Sequence, residues 1–185
     1  MRVDPVTELK DIRAIKKLLS GNLRDLMLFI LGINTGLRVQ DILAFKVKDF
    51  DKVKIGERIT IKEKKTGKLN VIIVNSEIFN AVNNYLNSVE PKPNDYLVKS
   101  RKGYNSPLTT FRVTRLVKEW TSQINLTSNY GAHSLRKTWC YIQRTQFGVT
   151  WELLSKHLNH SSPSITRRYL GIKEEEVEKV LLHNI

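Results

Sequence analysis

Cysteine is almost missing from this chain of 185 residues. Cys140 stands alone, so neither an internal disulfide nor a cysteine-built zinc site can form, which fits a reducing, cytoplasmic location. Long apolar runs are missing too. The longest, Leu26 to Ile33, falls far short of the roughly 18 residues that span a bilayer, and the N-terminus shows no basic-then-apolar leader. We therefore expect no membrane span and no signal peptide, and the sequons at Asn125 and Asn159 should go unglycosylated. With 9 Gly and 5 Pro the chain is neither collagen-like nor low in complexity, and 41% hydrophobic with 26% charged residues is globular composition. Internal repeats and linkers are absent, and the length suits a single domain. Acidic residues are scarce: 18 against 31 Lys plus Arg leaves a net charge of +13. Residues 91–170 alone carry +10, while 171–185 carry −2. Such an excess attracts a polyanion by steering and counterion release, although solubility alone also accounts for a basic surface.

The pattern of what is present predicts a mainly α chain with one small antiparallel β-sheet (α+β). Thr7 is placed to cap a helix bearing Ile12, Ile15, Leu18 and Leu19, broken by Ser20-Gly21-Asn22. A second helix over 22–34 buries Leu23, Leu26, Met27, Ile30 and Ile33 and stops at Gly36, a residue suited to a left-handed cap. A short helix from Leu37 buries Ile42 and Leu43. Between Glu57 and Val74 the period becomes two, with Lys64-Lys65-Thr66-Gly67 as the turn of a hairpin. Ser76 is placed to cap a helix that Pro91 and Pro93 end, and further helices follow near 109–123, 133–146, 150–158, 163–168 and 173–183.

Several clusters could carry chemistry, each with a plain alternative. His133 and Arg136, three apart at a helix start, pair an acid/base group with an anion clamp, but such a spacing is common. His160 precedes Ser161-Ser162-Pro163, where exposed helix N–H groups favour an anion. Tyr169 follows at the end of that helix; a tyrosine hydroxyl can attack phosphorus, but an isolated tyrosine usually packs. Arg38 sits just after a glycine turn, and Asp41 could orient a neighbour. His157 and His160 could share a metal, but cysteine and carboxylate partners at ligand spacing are lacking, and no carboxylate pair suits two magnesium ions. Thr66-Gly67-Lys68 lacks the glycine and the strand-to-helix context of a phosphate-binding loop. We therefore expect no metal and no cofactor.

Taken in chain order, Thr35-Gly36-Leu37-Arg38-Val39-Gln40-Asp41, Lys65-Thr66-Gly67, His133-Ser134-Leu135-Arg136, Leu158-Asn159-His160-Ser161-Ser162 and Arg168-Tyr169-Leu170 resemble the catalytic domain of the tyrosine recombinase (phage integrase) family, over about residues 8–182. The resemblance implies that fold and site-specific recombination or integration of double-stranded DNA through a 3′-phosphotyrosine intermediate. Tyr169 would be the nucleophile, Arg38 and Arg136 the phosphate clamp, His133 a proton acceptor or phosphate support, His160 a donor to a non-bridging oxygen, and Lys65 the acid for the leaving 5′-oxygen. Asp41 would be supporting. Among Lys62, Lys64, Lys65 and Lys68, spacing alone does not choose; the resemblance selects Lys65.

Lys99, Arg101, Lys102, Arg112, Arg115 and Lys118 are candidate DNA-backbone contacts, with a solvated face as the alternative. Asn159 stands where the family pattern has glycine, a change expected to be tolerated. Family members usually carry a separate N-terminal DNA-clamping domain, so the expectation is one catalytic domain over 1–185 with that clamp absent from the chain, whether as a fragment or a naturally short member. The apolar stripe of Val177, Val180, Leu181 and Leu182 is expected to pack on a neighbouring protomer, giving a homo-oligomer on DNA, or back on its own core. The alternatives to a recombinase are a type IB topoisomerase-like nicking and closing enzyme and a non-catalytic DNA-binding regulator.

Overall fold

A computed structural model describes residues 2–171 of the chain. In chain order its elements are α1 (Leu9–Leu18), α2 (Leu23–Thr35), α3 (Val39–Ile42), β1 (Arg58–Lys62), β2 (Leu69–Ile73), α4 (Ser76–Val89), α5 (Thr110–Gln123), α6 (Ala132–Thr145), α7 (Trp151–His157) and α8 (Pro163–Leu170), with a 3₁₀ turn over Val47–Phe50 that the periodicity does not announce. The expected helix near 173–183 and the apolar stripe on it lie outside the described residues.

The axis of the fold is α2, because its sequence is apolar on nearly every side: Met27 to Leu31 are all buried. The side chain of Asn22 accepts the Asp25 N–H at its start, and Gly36 ends it at φ 62°, a backbone conformation that a Cβ disfavours. Helices α4 and α6 pack on α2, α5 packs on α6, and α1 rests against α5. The approach of α6 depends on Gly32, where a Cβ would lie 2.6 Å from Leu135 Cδ1.

Two caps differ from expectation. Glu8, rather than Thr7, occupies the cap position of α1 and makes no side-chain capping bond. Asn75, rather than Ser76, caps α4 by accepting the Ile78 N–H. Both shifts are of one residue, the scale on which neighbouring polar side chains compete for the same orphan N–H groups.

β1 and β2 pair antiparallel, with Ile59 opposite Ile72 and Ile61 opposite Asn70. Ile59, Ile72 and Asn70 are buried, while Leu69, Val71 and Ile73 point outward. A second apolar cluster joins Cys140, Trp151, Leu154, Leu158 and Leu170 and attaches α7 and α8 to the far half of α6. Burying a leucine such as Leu158, fully enclosed here, contributes about 2 kcal/mol. Cys140 serves this cluster as an apolar side chain, since burial pushes its thiol up to about 12. The first half of α6 thus belongs to the main core and its second half to this satellite, and the polar cluster described next lies where the two meet.

Candidate active site

Arg136 ties the motifs together. It is 2% exposed, and its two terminal nitrogens donate to the carbonyls of Gly36 (2.8 Å) and Leu158 (2.6 Å). One side chain therefore joins the end of α2, the first half of α6 and the loop after α7, lying 100 residues from the first and 22 from the last. Burial lowers its pKa first and the charge of Arg38 second; even so lowered, a guanidinium stays cationic.

Arg38, at the cap of α3, extends to Glu63 on the hairpin, Nη1 to Oε2 2.6 Å. Glu63 has a wholly enclosed side chain and also accepts from the Thr66 hydroxyl (2.6 Å) and the Asn70 amide (3.0 Å). Burial alone would raise its pKa, but bonds from Thr66, Asn70 and Asn159, with the charge of Arg38, hold it down at about 2. Asn70 also donates to the His157 carbonyl, so the hairpin is pinned to both α3 and the loop after α7. Asp41 pins it from the other side by accepting the Lys64 N–H at 2.8 Å. Burial raises the Asp41 pKa, opposed by that bond, and its Oδ2 has no partner.

The hairpin turn has Gly67 at φ 68° and leaves Lys62, Lys64, Lys65 and Lys68 all exposed. They do not face the same way. Lys65 shares a cavity of about 540 Å³ with His133, Lys137, Arg168 and Tyr169. Lys62 and Lys64 line a different recess, with Asp41 and Arg58.

His133 stands on the first turn of α6, its outer edge exposed. Desolvation on its protein side, then the charges of Arg136, Arg38, Lys65 and Lys137, hold it below the usual histidine range, so it is neutral at pH 7. His160 bonds through Nδ1 to the Thr166 hydroxyl (2.9 Å) and meets the Tyr169 ring edge-on at 5.4 Å. Burial, then Arg136 and Arg38, push it down to about 4. Tyr169 itself is pushed up to about 12, chiefly by burial, with Arg136 and Arg38 pulling the other way. Its hydroxyl oxygen is enclosed and has no hydrogen-bond partner. The Arg136 guanidinium nevertheless lies within reach of it and lowers its pKa through both charge and a side-chain hydrogen-bonding contact; the two carbonyls take only two of its five N–H groups.

His157 turns away from His160. Its Nε2 donates to the Thr35 carbonyl at 2.7 Å and its ring lies against Trp139 at 4.6 Å. Among the described residues no three His, Cys, Asp or Glu side chains gather as a metal site would require. Asn159 has φ 53°, the left-handed region, which explains a glycine pattern at this position; Asn is one of the few other residues that adopts it readily.

The candidate backbone contacts lie apart from this cluster. Lys99 and Arg101 line a recess of about 740 Å³ with Arg24, which opens α2. Thirteen residues of helix, about 20 Å, separate that end from Gly36. Lys102 is exposed beside them, Arg112 pairs with Glu119, and Arg115 and Lys118 are exposed on α5.

Asn70 and Thr166, which bond Glu63 and His160, escaped the sequence analysis, and so did two enclosed charged residues of the cluster. Glu63 had a signal: Ile59, Ile61 and Glu63 share one face at period two, so the carboxylate had to point inward and needed a partner. Lys137 had none, because a lysine beside an arginine reads as surface.

The chain as a whole matches known proteins. The family model described as Phage integrase family matches residues 5–176. The chain belongs to the phage integrase family. It is 38% identical over 176 residues to the Bacillus subtilis protein "Probable integrase/recombinase YoeC", covering 94% of this chain and 92% of that one. Tyrosine recombinase XerA of Pyrococcus horikoshii is 24% identical over 169 residues, 90% of this chain and 58% of that one. Among solved structures, the XerA recombinase crystal structure superposes with a TM-score of 0.78 at 20% identity, covering 96% of this chain and 64% of that chain. XerH bound to difH substrate before cleavage gives 0.74 at 21%, covering 100% and 56%. The fold is thus that of the phage integrase family, and the chain spans a little over half the length of most of these relatives.

Proposed function

We propose that this chain is the catalytic domain of a site-specific DNA recombinase, which cleaves and rejoins double-stranded DNA through Tyr169. The observation that carries the reading is the surroundings of the Tyr169 hydroxyl: enclosed, within reach of the Arg136 guanidinium, and under the positive charge of Arg136 and Arg38. A tyrosine that only packs has no need of two guanidiniums beside its hydroxyl, whereas a nucleophile attacking an anionic phosphate does.

The side chains divide the chemistry as follows. Arg38 and Arg136 carry the charge that a transition state spreads over the non-bridging oxygens. Neutral His133 can accept the Tyr169 proton as its oxygen bonds to phosphorus. His160, with Nδ1 held by Thr166, offers Nε2 to a phosphate oxygen. The bond from phosphorus to the 5′-oxygen breaks, Lys65 supplies the proton, and a 3′-phosphotyrosine and a 5′-hydroxyl result. Reversal with a different 5′-hydroxyl rejoins the strands without ATP, since the bond energy is kept in the phosphotyrosine. The chemistry asks for no metal, so chelators should leave cleavage unchanged.

A double-stranded DNA partner is supported by the net charge of +13 and by relatives solved on DNA, including a lambda integrase dimer bound to a core site. Assembly of this chain on DNA would use the apolar stripe after Tyr169. Deleting residues 174–185 should lower the DNA-bound stoichiometry; unchanged stoichiometry with a large loss of stability would refute that part.

The deciding experiment is covalent trapping on a nicked suicide duplex. The parent should form a protein–DNA adduct and Tyr169→Phe none, at similar DNA affinity. An adduct that persists in Tyr169→Phe removes the assignment.

A further inference from the structure

Among the described residues, three buried side-chain atoms lack a hydrogen-bond partner: Asp41 Oδ2, Lys137 Nζ and the Tyr169 hydroxyl. All belong to the active-site region. Asp41 is half satisfied by the Lys64 N–H, and the Tyr169 hydroxyl is the proposed nucleophile. Lys137 is the one with neither an internal partner nor a role.

Lys137 directly follows Arg136 on α6 and is 3% exposed. Its ammonium lies 5.1 Å from the centroid of the Tyr169 ring, too weak a contact to offset the loss of water around a full charge. Asp4 is close enough to favour the charge, but no ion pair forms, and Arg2 opposes it. For packing alone, methionine would fill the same volume without desolvating an ion. The side chain nevertheless forms part of the wall of the 540 Å³ cavity that holds Lys65, His133, Arg168 and Tyr169, with Arg2 and Val3 on its rim. A cation kept without a partner beside a nucleophile, in a cavity lined by other cations, is arranged for an anion that arrives from outside.

We propose that Lys137 is a phosphate ligand of the DNA cleft, its ammonium taking a non-bridging oxygen of the DNA backbone when the duplex enters the cavity beside Tyr169. This rests on the reading of the cavity as the DNA site. The cost of burying the charge in the free protein is recovered on binding, so stability and affinity should respond to its removal in opposite directions.

The test uses the full chain in a Tyr169→Phe background, where no covalent step can intervene. Binding to a random-sequence duplex is measured over a series of salt concentrations for Lys137, Lys137→Met and Lys137→Arg, together with thermal unfolding of each. We expect Lys137→Met to bind about tenfold more weakly at low salt, to reduce the log–log salt slope by about 0.9, and to unfold at the same or a higher temperature. Lys137→Arg should keep the slope. An unchanged slope in Lys137→Met overturns the proposal whatever the unfolding temperature does. Because the hydroxyl of Tyr169 is absent throughout, this result is separate from the suicide-substrate experiment, which alone decides the nucleophile.

Discussion

Replacing Glu63 by glutamine should destabilise this protein by about 3 kcal/mol at neutral pH and leave the loss visible only there. Two overlapping arguments, which share the Arg38 contact, lead to that size. The Glu63 side chain is fully enclosed and Arg38 is 13% exposed, and removing one partner of a buried pair costs roughly 3–5 kcal/mol because the other is left charged and dry. Likewise, a carboxyl held at about 2 instead of its ordinary 4.5 is stabilising by roughly 3 kcal/mol at 1.36 kcal/mol per pKa unit. The sign follows from the direction: a depressed carboxylate contributes fully above its unfolded value, and its contribution is lost as pH falls from about 4.5 towards 2. Urea unfolding of the parent and Glu63→Gln at pH 7, and at steps between about pH 5 and 3, measures it. The two curves should converge on the acid side. A difference below about 1 kcal/mol at pH 7, the worth of an exposed pair, or one that does not shrink in acid, would refute the argument that Arg38 and Glu63 form a buried, mutually dependent pair.

Gly36→Ala should cost about 2 kcal/mol or more, since φ is 62° and the new Cβ would lie 2.7 Å from Trp139; Gly21→Ala, with nothing within 4 Å, is the control, and equal losses in urea unfolding would contradict it. His160 is held down to about 4, below its unfolded value, so it destabilises the fold progressively as pH drops from about 6.5 to 4, and His160→Gln should flatten that part of the stability profile. Lys65→Ala should cleave ordinary DNA slowly and recover on a duplex whose bridging 5′-oxygen is sulfur, whereas Lys64→Ala should match the parent on both; equal impairment of Lys65→Ala on the two substrates removes it as the acid. Tyr169→Phe should unfold no more easily than the parent, because the hydroxyl it deletes has no partner.

Much of this architecture was legible in the chain because the interactions that make it are local. The breaks at Gly21 and Gly36, the period of two around the hairpin and the proline that opens α8 act within four residues, and they set most elements to within about two residues. The order of the five motifs pointed to the family for the same reason: each is a short run. What only the tertiary structure decided was direction and partnership. Four lysines crowd the hairpin turn with equal local claims, and packing of the hairpin against α3 and the loop after α7 turns Lys65 alone of the tip pair towards Tyr169 and Lys64 towards Asp41. Whether His157 and His160 converge depends on the Thr35 carbonyl, 122 residues from His157. Arg136 gathers Gly36 and Leu158 across 100 and 22 residues, and Lys137, one position on, becomes a buried cation. Backbone hydrogen bonding is periodic and can be read from spacing, but the place of a charge inside the fold depends on which distant side chains approach it, and that is settled by packing.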